Sequence, residues 1–216
     1  MTTTKDVMLR RIHTALRDVP RDEQPGDVAV ARDYRTTDDA SREQIVHQFA
    51  ERVAEYKAAV RVVAEGELVG AIAAALAARN LTRLVVPAGL PDAWLPVGVT
   101  PLRDTPPLSN TALDESEGVI TTCTIGIAQT GTIVLDHGPG QGRRAISLVP
   151  DYHLCVVRAE QIVGLVPEAI SGLASTANAG QPLTFISGPS ATSDIELNRV
   201  EGVHGPRTLE VLIVVP

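Results

Sequence analysis

Apolar residues recur along the chain in two periods, and the alternation between them predicts its organisation. Val7, Met8, Ile12, Ala15 and Leu16 fall at roughly helical spacing, with Arg10, Arg11 and Arg17 off the stripe. This predicts a helix over 5–17 whose basic residues face solvent. Residues 18–40 break the pattern with Asp, Arg, Pro and Gly and read as a loop or mobile linker. Ser41 and Gln44 then fit a capping box, and Ile45, Val46, Phe49, Val53 and Tyr56 line one helical face. AAVRVVA at 58–64 is rich in β-branched residues and reads as the first strand of the main sheet. An Ala-rich helix over 67–79, with Asn80 as its C-cap, leads to a buried strand at 83–87. Strand, helix and strand at this short spacing predict a right-handed βαβ unit and a parallel sheet.

Prolines crowd 87–107 and predict loop and sheet edge, with Trp94 as a hydrophobic plug. A strand follows through Val119 and Ile120. Apolar runs near 132–135, 145–149 and 153–157, separated by Gly- or Pro-containing turns, predict a β-rich region with hairpin-like connections. The apolar spacing of 159–175 predicts a long helix that kinks or begins at Pro167. Two further apolar runs, 182–186 and 209–215, enclose FISGPSATSDIELNRVEGVHGPR, which reads as strand, loop, short helix, loop, strand. One α/β domain over 41–216, preceded by an N-terminal helix and linker over 1–40, accounts for the 216 residues.

Composition narrows the function classes. The formal charge of −7 argues against a nucleic-acid or anionic-membrane partner, whose affinity would rest on a basic surface. Cys123 and Cys155 lie in apolar runs and read as buried reduced thiols. No C-x-x-C pattern is present, so this chain alone cannot supply four thiolates to an iron–sulfur cluster or a zinc site. No metal site is expected. The N-terminus has no apolar core of signal-peptide type, and no run approaches a membrane span, so a cytoplasmic protein is expected.

Four polar blocks are candidates for chemistry. GPGQGRR at 138–144, flanked by Asp136 and His137, fits neither a Walker A loop nor a Rossmann fingerprint. It reads as a hairpin tip or as a loop over a ligand, with Arg143 able to grip a carboxylate or phosphate. Gln129, Thr130, Gly131 and Thr132 place an amide and two hydroxyls around a tight turn, which leaves structure and ligand binding equally open. Gly188, Pro189 and Ser190 lead into a helix start, a natural anion site. A capping box explains Ser193, Asp194 and Glu196 without a ligand, but not Ser187, Ser190 or Thr192. In His204-Gly205-Pro206-Arg207, His204 is a candidate acid or base.

GIAQTGTIVL, the Gly-Arg loop before SLVP, GPSATSDIE and GVHGPRTLEVLIV together resemble the LUD domain of the lactate-utilisation protein C (LutC/YkgG) family, from about Val119 to the C-terminus. The resemblance implies a Rossmann-like three-layer sandwich of the NagB/RpiA/CoA-transferase type. It also implies a non-redox role in oxidising L-lactate to pyruvate, beside partner proteins that carry iron–sulfur clusters, and a pocket for a small anionic ligand lined by all four blocks. A homo-oligomer is left open. The family block reads Ala-Glu-Thr-Gly-Thr, and Gln129 here stands in place of the Glu; an amide can neither ionise nor act as nucleophile or base. Other members of that fold group act on phosphosugars or CoA thioesters. A stand-alone enzyme of that kind, using the anion-friendly helix start after Gly188-Pro189-Ser190 with Arg143, Arg144 and Arg207, is the alternative, and a scaffolding subunit with a vestigial pocket is a third.

Overall fold

The computed structural model describes residues 3–20, 22, 24, 26–27, 29–189 and 205–216. The chain divides into a small unit, Met1–Tyr34, and a large one, Arg35–Pro216. The small unit holds helix α1 (Thr4–Ala15), started by a reciprocal capping box between Thr3 and Asp6. None of its residues is buried.

The large unit opens with α2 (Arg42–Glu55). Ser41 Oγ accepts from Gln44 N–H at 3.3 Å and Gln44 Oε1 accepts from Ser41 N–H at 2.9 Å, the capping box read from the sequence. Ile45, Phe49 and Val53, spaced by four, carry the buried face, and burying each contributes roughly 2 kcal/mol. Strand β1 (Ala59–Ala64), helix α3 (Leu68–Ala77) and strand β2 (Arg83–Val86) follow. Asn80 sits in the left-handed region at φ 55° and Leu81 N–H reaches back to Leu76 O (3.0 Å), a Schellman-type stop. Next come β3 (Thr100–Arg103), the short α4 (Asn110–Asp114), β4 (Gly118–Thr122), β5 (Ile125–Ile127) and β6 (Thr132–Leu135). Then β7 (Tyr152–Arg158), β8 (Ile162–Val163), α5 (Val166–Gly172), α6 (Ala174–Asn178), β9 (Thr184–Ile186) and β10 (Thr208–Val215) complete the chain.

Six strands form an all-parallel sheet in the order β1-β10-β7-β4-β2-β3. Alternation along each strand sends residues to opposite faces. In β10, Leu212 and Val214 meet Leu68, Ile72 and Leu76 of α3, together with the buried plug Trp94. Leu209, Val211 and Ile213 meet Phe49 and Val53 of α2. The second sheet, β8-β5-β6-β9, packs its inward residues Ile133 and Leu135 into that same cluster. Its outward Val134 and Ile127 are covered by Ala169 and Leu173. The fold is Rossmann-like and three-layered, with a small mixed sheet beside α2.

Several local expectations differ from the structure. The run at 145–149 is not a strand but a 3-10 turn over Arg144–Ser147 that seats Ile146 against Val85, Leu113 and Val119. The long helix over 159–175 is instead β8 and two short helices. Pro167 stands in the first turn of α5, where its missing N–H costs nothing. β1 and β2 share the parallel sheet without being neighbours, since β10, β7 and β4 lie between them. The apolar runs at 182–186 and 209–215 enter different sheets.

Candidate functional site

The chain leaves β2 toward the β3 edge and leaves β4 in the opposite direction, so the large sheet has its topological switch between β4 and β2. Ligands of open α/β sheets bind at such a crevice, beyond the carboxyl ends of the strands. Here the protein's own Gly-rich loop fills it. Gly140 N–H donates to Ala88 O just past β2 (2.8 Å), and Thr122 N–H at the end of β4 donates to Gly140 O (2.8 Å). Gly140 has φ +76°, and a Cβ there would lie 2.7 Å from Thr122 Oγ1, so glycine is required.

The loop's polar side chains are turned to the same purpose. Buried Gln141 accepts from Asp136 N–H (2.8 Å) and donates to Thr124 Oγ1 (2.8 Å). His137 bridges Gly142 O (2.8 Å) and Thr184 Oγ1 (2.9 Å). Arg143 does grip a carboxylate, but one from its own chain. Its Nε and Nη2 donate to Asp104 at 2.8 and 2.9 Å, and Nη2 also donates to Leu108 O at 2.7 Å. These bonds to Asp104 raise the Arg143 pKa further above its ordinary value. Arg144 is exposed.

The block at the other end of β6 is built differently. A 3-10 turn over Ala128–Thr130 lies against α2, and Gly131 caps it at φ 58°, ψ 36°. A Cβ on Gly131 would lie 2.6 Å from the Arg52 carbonyl carbon, so the glycine is set by helix packing. The hydroxyls beside it form a chain. Thr132 Oγ1 lies 2.7 Å from Thr130 Oγ1 and 2.8 Å from Ser187 Oγ. Thr132 is buried, Thr130 half-buried and Ser187 exposed, so the chain runs from core to surface. Gln129 caps α5: its Oε1 accepts from Val166 N–H at 3.4 Å, and its own N–H donates to Gly164 O at 2.9 Å. A carbonyl oxygen at a helix start needs no charge for that task.

The pocket expected from four blocks is therefore divided. Residues 129–132 and 187–189 come together through the Thr132–Ser187 bond, and Gly188 lies against Tyr56 at the end of α2. Arg143 and the 138–144 loop stand beyond the far end of β6, about 13 Å of extended strand away. Gly205 and Arg207 enter β10 at its amino end, and Arg207 pairs with Asp151 just before β7. Ser190, Thr192, Ser193, Asp194, Glu196 and His204 lie outside the described residues.

Both cysteines are buried and free, and the Cys123 thiol is pushed well up by its hydrogen bond to Cys155 and then by burial. Among the described residues, no group of three or more His, Cys, Asp or Glu side chains is placed to hold a metal ion. None of their helices is long and apolar enough to cross a membrane. His153 is buried, with Nε2 2.7 Å from Thr121 Oγ1, and burial lowers its pKa to about 4. One polar cluster was not foreseen: Glu210, Arg61, Arg79 and Tyr152. A lone Glu inside the apolar run TLEVLIVV was its only signal.

A parallel Rossmann-like sheet with a small mixed sheet beside it, and a Thr-Gly-Thr turn docked on a helix, defines an α/β domain of one recognisable class. Residues 110–214 match the LUD domain family. The chain is 55% identical over 174 residues to lactate utilization protein C of Deinococcus radiodurans, covering 81% of each chain. It is 39% identical over 93 residues to the uncharacterized protein YkgG of Escherichia coli, covering 41% of this chain and 40% of that one. The crystal structure of a DUF162 family protein from Deinococcus radiodurans superposes with a TM-score of 0.73 at 49% identity, over 82% of this chain and 99% of that one. This chain belongs to the lactate utilization protein C family of LUD-domain proteins.

Proposed function

We propose that this chain serves in lactate utilisation, as a subunit without a redox centre of its own. The observation that carries the reading is the 55% identity, over 81% of both chains, to a protein named lactate utilization protein C. In this reading L-lactate is oxidised to pyruvate by partner proteins holding iron–sulfur clusters. This chain has two cysteines, Cys123 just after β4 and Cys155 on β7, too few for a four-thiolate cluster. The ligand is a small anion, and the block around Thr130, Thr132 and Ser187 is the part of the candidate site whose hydroxyls reach the surface. Exposed hydroxyls and amides there can donate to a carboxylate.

The alternative of a phosphosugar or CoA enzyme takes its motive from the helix start expected after Gly188-Pro189-Ser190 and from three arginines, Arg143, Arg144 and Arg207. Arg143 and Arg207 are paired with Asp104 and Asp151, which weakens that motive. Deleting the gene tests the proposal: growth on L-lactate as sole carbon source should fail and return with the gene. Normal growth of a deletion strain with no second copy would overturn it. Affinity purification from lactate-grown cells should recover iron–sulfur proteins.

A further inference from the structure

The cluster around Glu210 sits apart from both blocks, on the α3 side of the sheet at the amino end of β10. Its carboxylate is buried and accepts from Arg61 Nη2 (2.7 Å) and Tyr152 Oη (3.0 Å), while Arg79 Nε lies 3.8 Å away. Arg79 also lies over the Tyr152 ring, 5.1 Å from its centroid, where a cation is attracted to the ring face. Two guanidinium groups thus share one carboxylate, and the cluster carries a net positive charge in a chain of net charge −7. Arg61 Nη2 is further committed to Ala71 O (3.0 Å), but a guanidinium has five N–H donors. Both arginine side chains keep about two fifths of their surface exposed (38% and 40%).

These two arginines do not close over the carboxylate. They flank a cavity of about 420 Å³ whose remaining lining is Glu210, with Ala74 and Ala75 of α3 and Ala78 at the C-cap of that helix. That size lies within the range of small-ligand pockets. One wall is methyl groups on a rigid helix, the other a pair of cations with spare planar donors, of the kind that bind carboxylate or phosphate in bidentate fashion.

We propose that this cavity is a binding site for a small organic anion, with a carboxylate or phosphate head between Arg61 and Arg79 and a short apolar body on the alanine wall. Glu210 and Tyr152 orient the two guanidinium groups and do not touch the ligand's apolar part. The site is independent of the proposed role in lactate utilisation.

Calorimetric titration of the full chain with isobutyrate, pyruvate and inorganic phosphate tests it. Isobutyrate or pyruvate binding alone identifies a carboxylate site, and phosphate binding alone identifies a phosphate site. Arg79→Gln should weaken the binding roughly tenfold to a hundredfold, the worth of a charge-assisted hydrogen bond. Ala78→Leu, at the exposed C-cap of α3, should narrow the cavity and weaken binding with an unchanged Tm. Thr132→Val, in the hydroxyl block, should leave intact the component of the titration that Arg79→Gln weakens, which separates the two sites. Absence of binding by all three probes to the wild type, or binding unaltered by Ala78→Leu, overturns the proposal.

Discussion

The two ends of β6 carry polar blocks with opposite fates. In the 136–144 loop, Gln141, His137 and Arg143 all direct their hydrogen bonds inward, to Thr124, Thr184 and Asp104, and the loop plugs the crevice where the sheet order switches. At the other end, Thr130, Thr132 and Ser187 bond mainly to one another, in a chain that reaches the surface. The block richest in Gly and Arg is structural, and the plainer Thr-Gly-Thr block keeps donors available. A Gly-rich, Arg-flanked loop signals an anion site only when its amides and guanidinium groups are unclaimed, and here Asp104 claims the Arg143 guanidinium and Ala88 the Gly140 amide.

The largest effect should come from Gly131 in the open block. Gly131→Ala places a methyl 2.6 Å from the Arg52 carbonyl carbon in a left-handed turn. We expect a loss of about 4 kcal/mol from overpacking and backbone strain together, read as a Tm fall of roughly 10 °C. A neutral result would mean that α2 does not set the shape of this block.

Acid sensitivity comes next. His153 has a pKa lowered to about 4 in the fold against an ordinary 6.5, because burial disfavours its cation. Between those values the unfolded chain binds the proton and the folded chain does not, so stability falls as pH drops from 6.5 toward 4. The loss is about 3 kcal/mol. Denaturant midpoints measured across that window should slope for the wild type and flatten in His153→Leu. This fixes the pH range in which the two blocks can be compared.

A smaller effect should follow in the closed block. Arg143→Lys replaces a planar fork by a point donor and loses part of the bidentate bond to the buried Asp104. Arg143 is about a third exposed (36%), so a discounted loss of roughly 1–2 kcal/mol is expected, with growth on L-lactate retained. Growth lost at unchanged stability would make Arg143 a ligand residue and reverse the comparison. The smallest change in stability belongs to Thr132→Val, which keeps the shape and removes one hydroxyl whose partners can turn to water. Less than about 1 kcal/mol is expected in a denaturant titration.

Much of the fold could be read from residues alone because its signals are local. The Ser41–Gln44 box, the four-residue spacing of Ile45, Phe49 and Val53, and Asn80 as a helix stop all act within a turn or two of helix. The small sheet was harder to see. β5 and β8 are two or three residues long, too short for a period to show, and they exist because a parallel pairing brings 126–127 to 162–163. The run at 145–149 has strand composition but is turned into a 3-10 segment by packing of Ile146 under Val85. Asp104 as the partner of Arg143, and Arg61 and Arg79 as partners of Glu210, are separated by 39 to 149 residues in the chain, and no spacing rule reaches that far.

The most direct test of the central claim is complementation on L-lactate. A deletion strain carrying the double variant Thr132→Val, Ser187→Ala should fail to grow on L-lactate as sole carbon source, although the protein accumulates and melts like the wild type. The same strain carrying Arg143→Lys should grow. Growth supported by the double variant and lost with Arg143→Lys would contradict the assignment of function to the hydroxyl block.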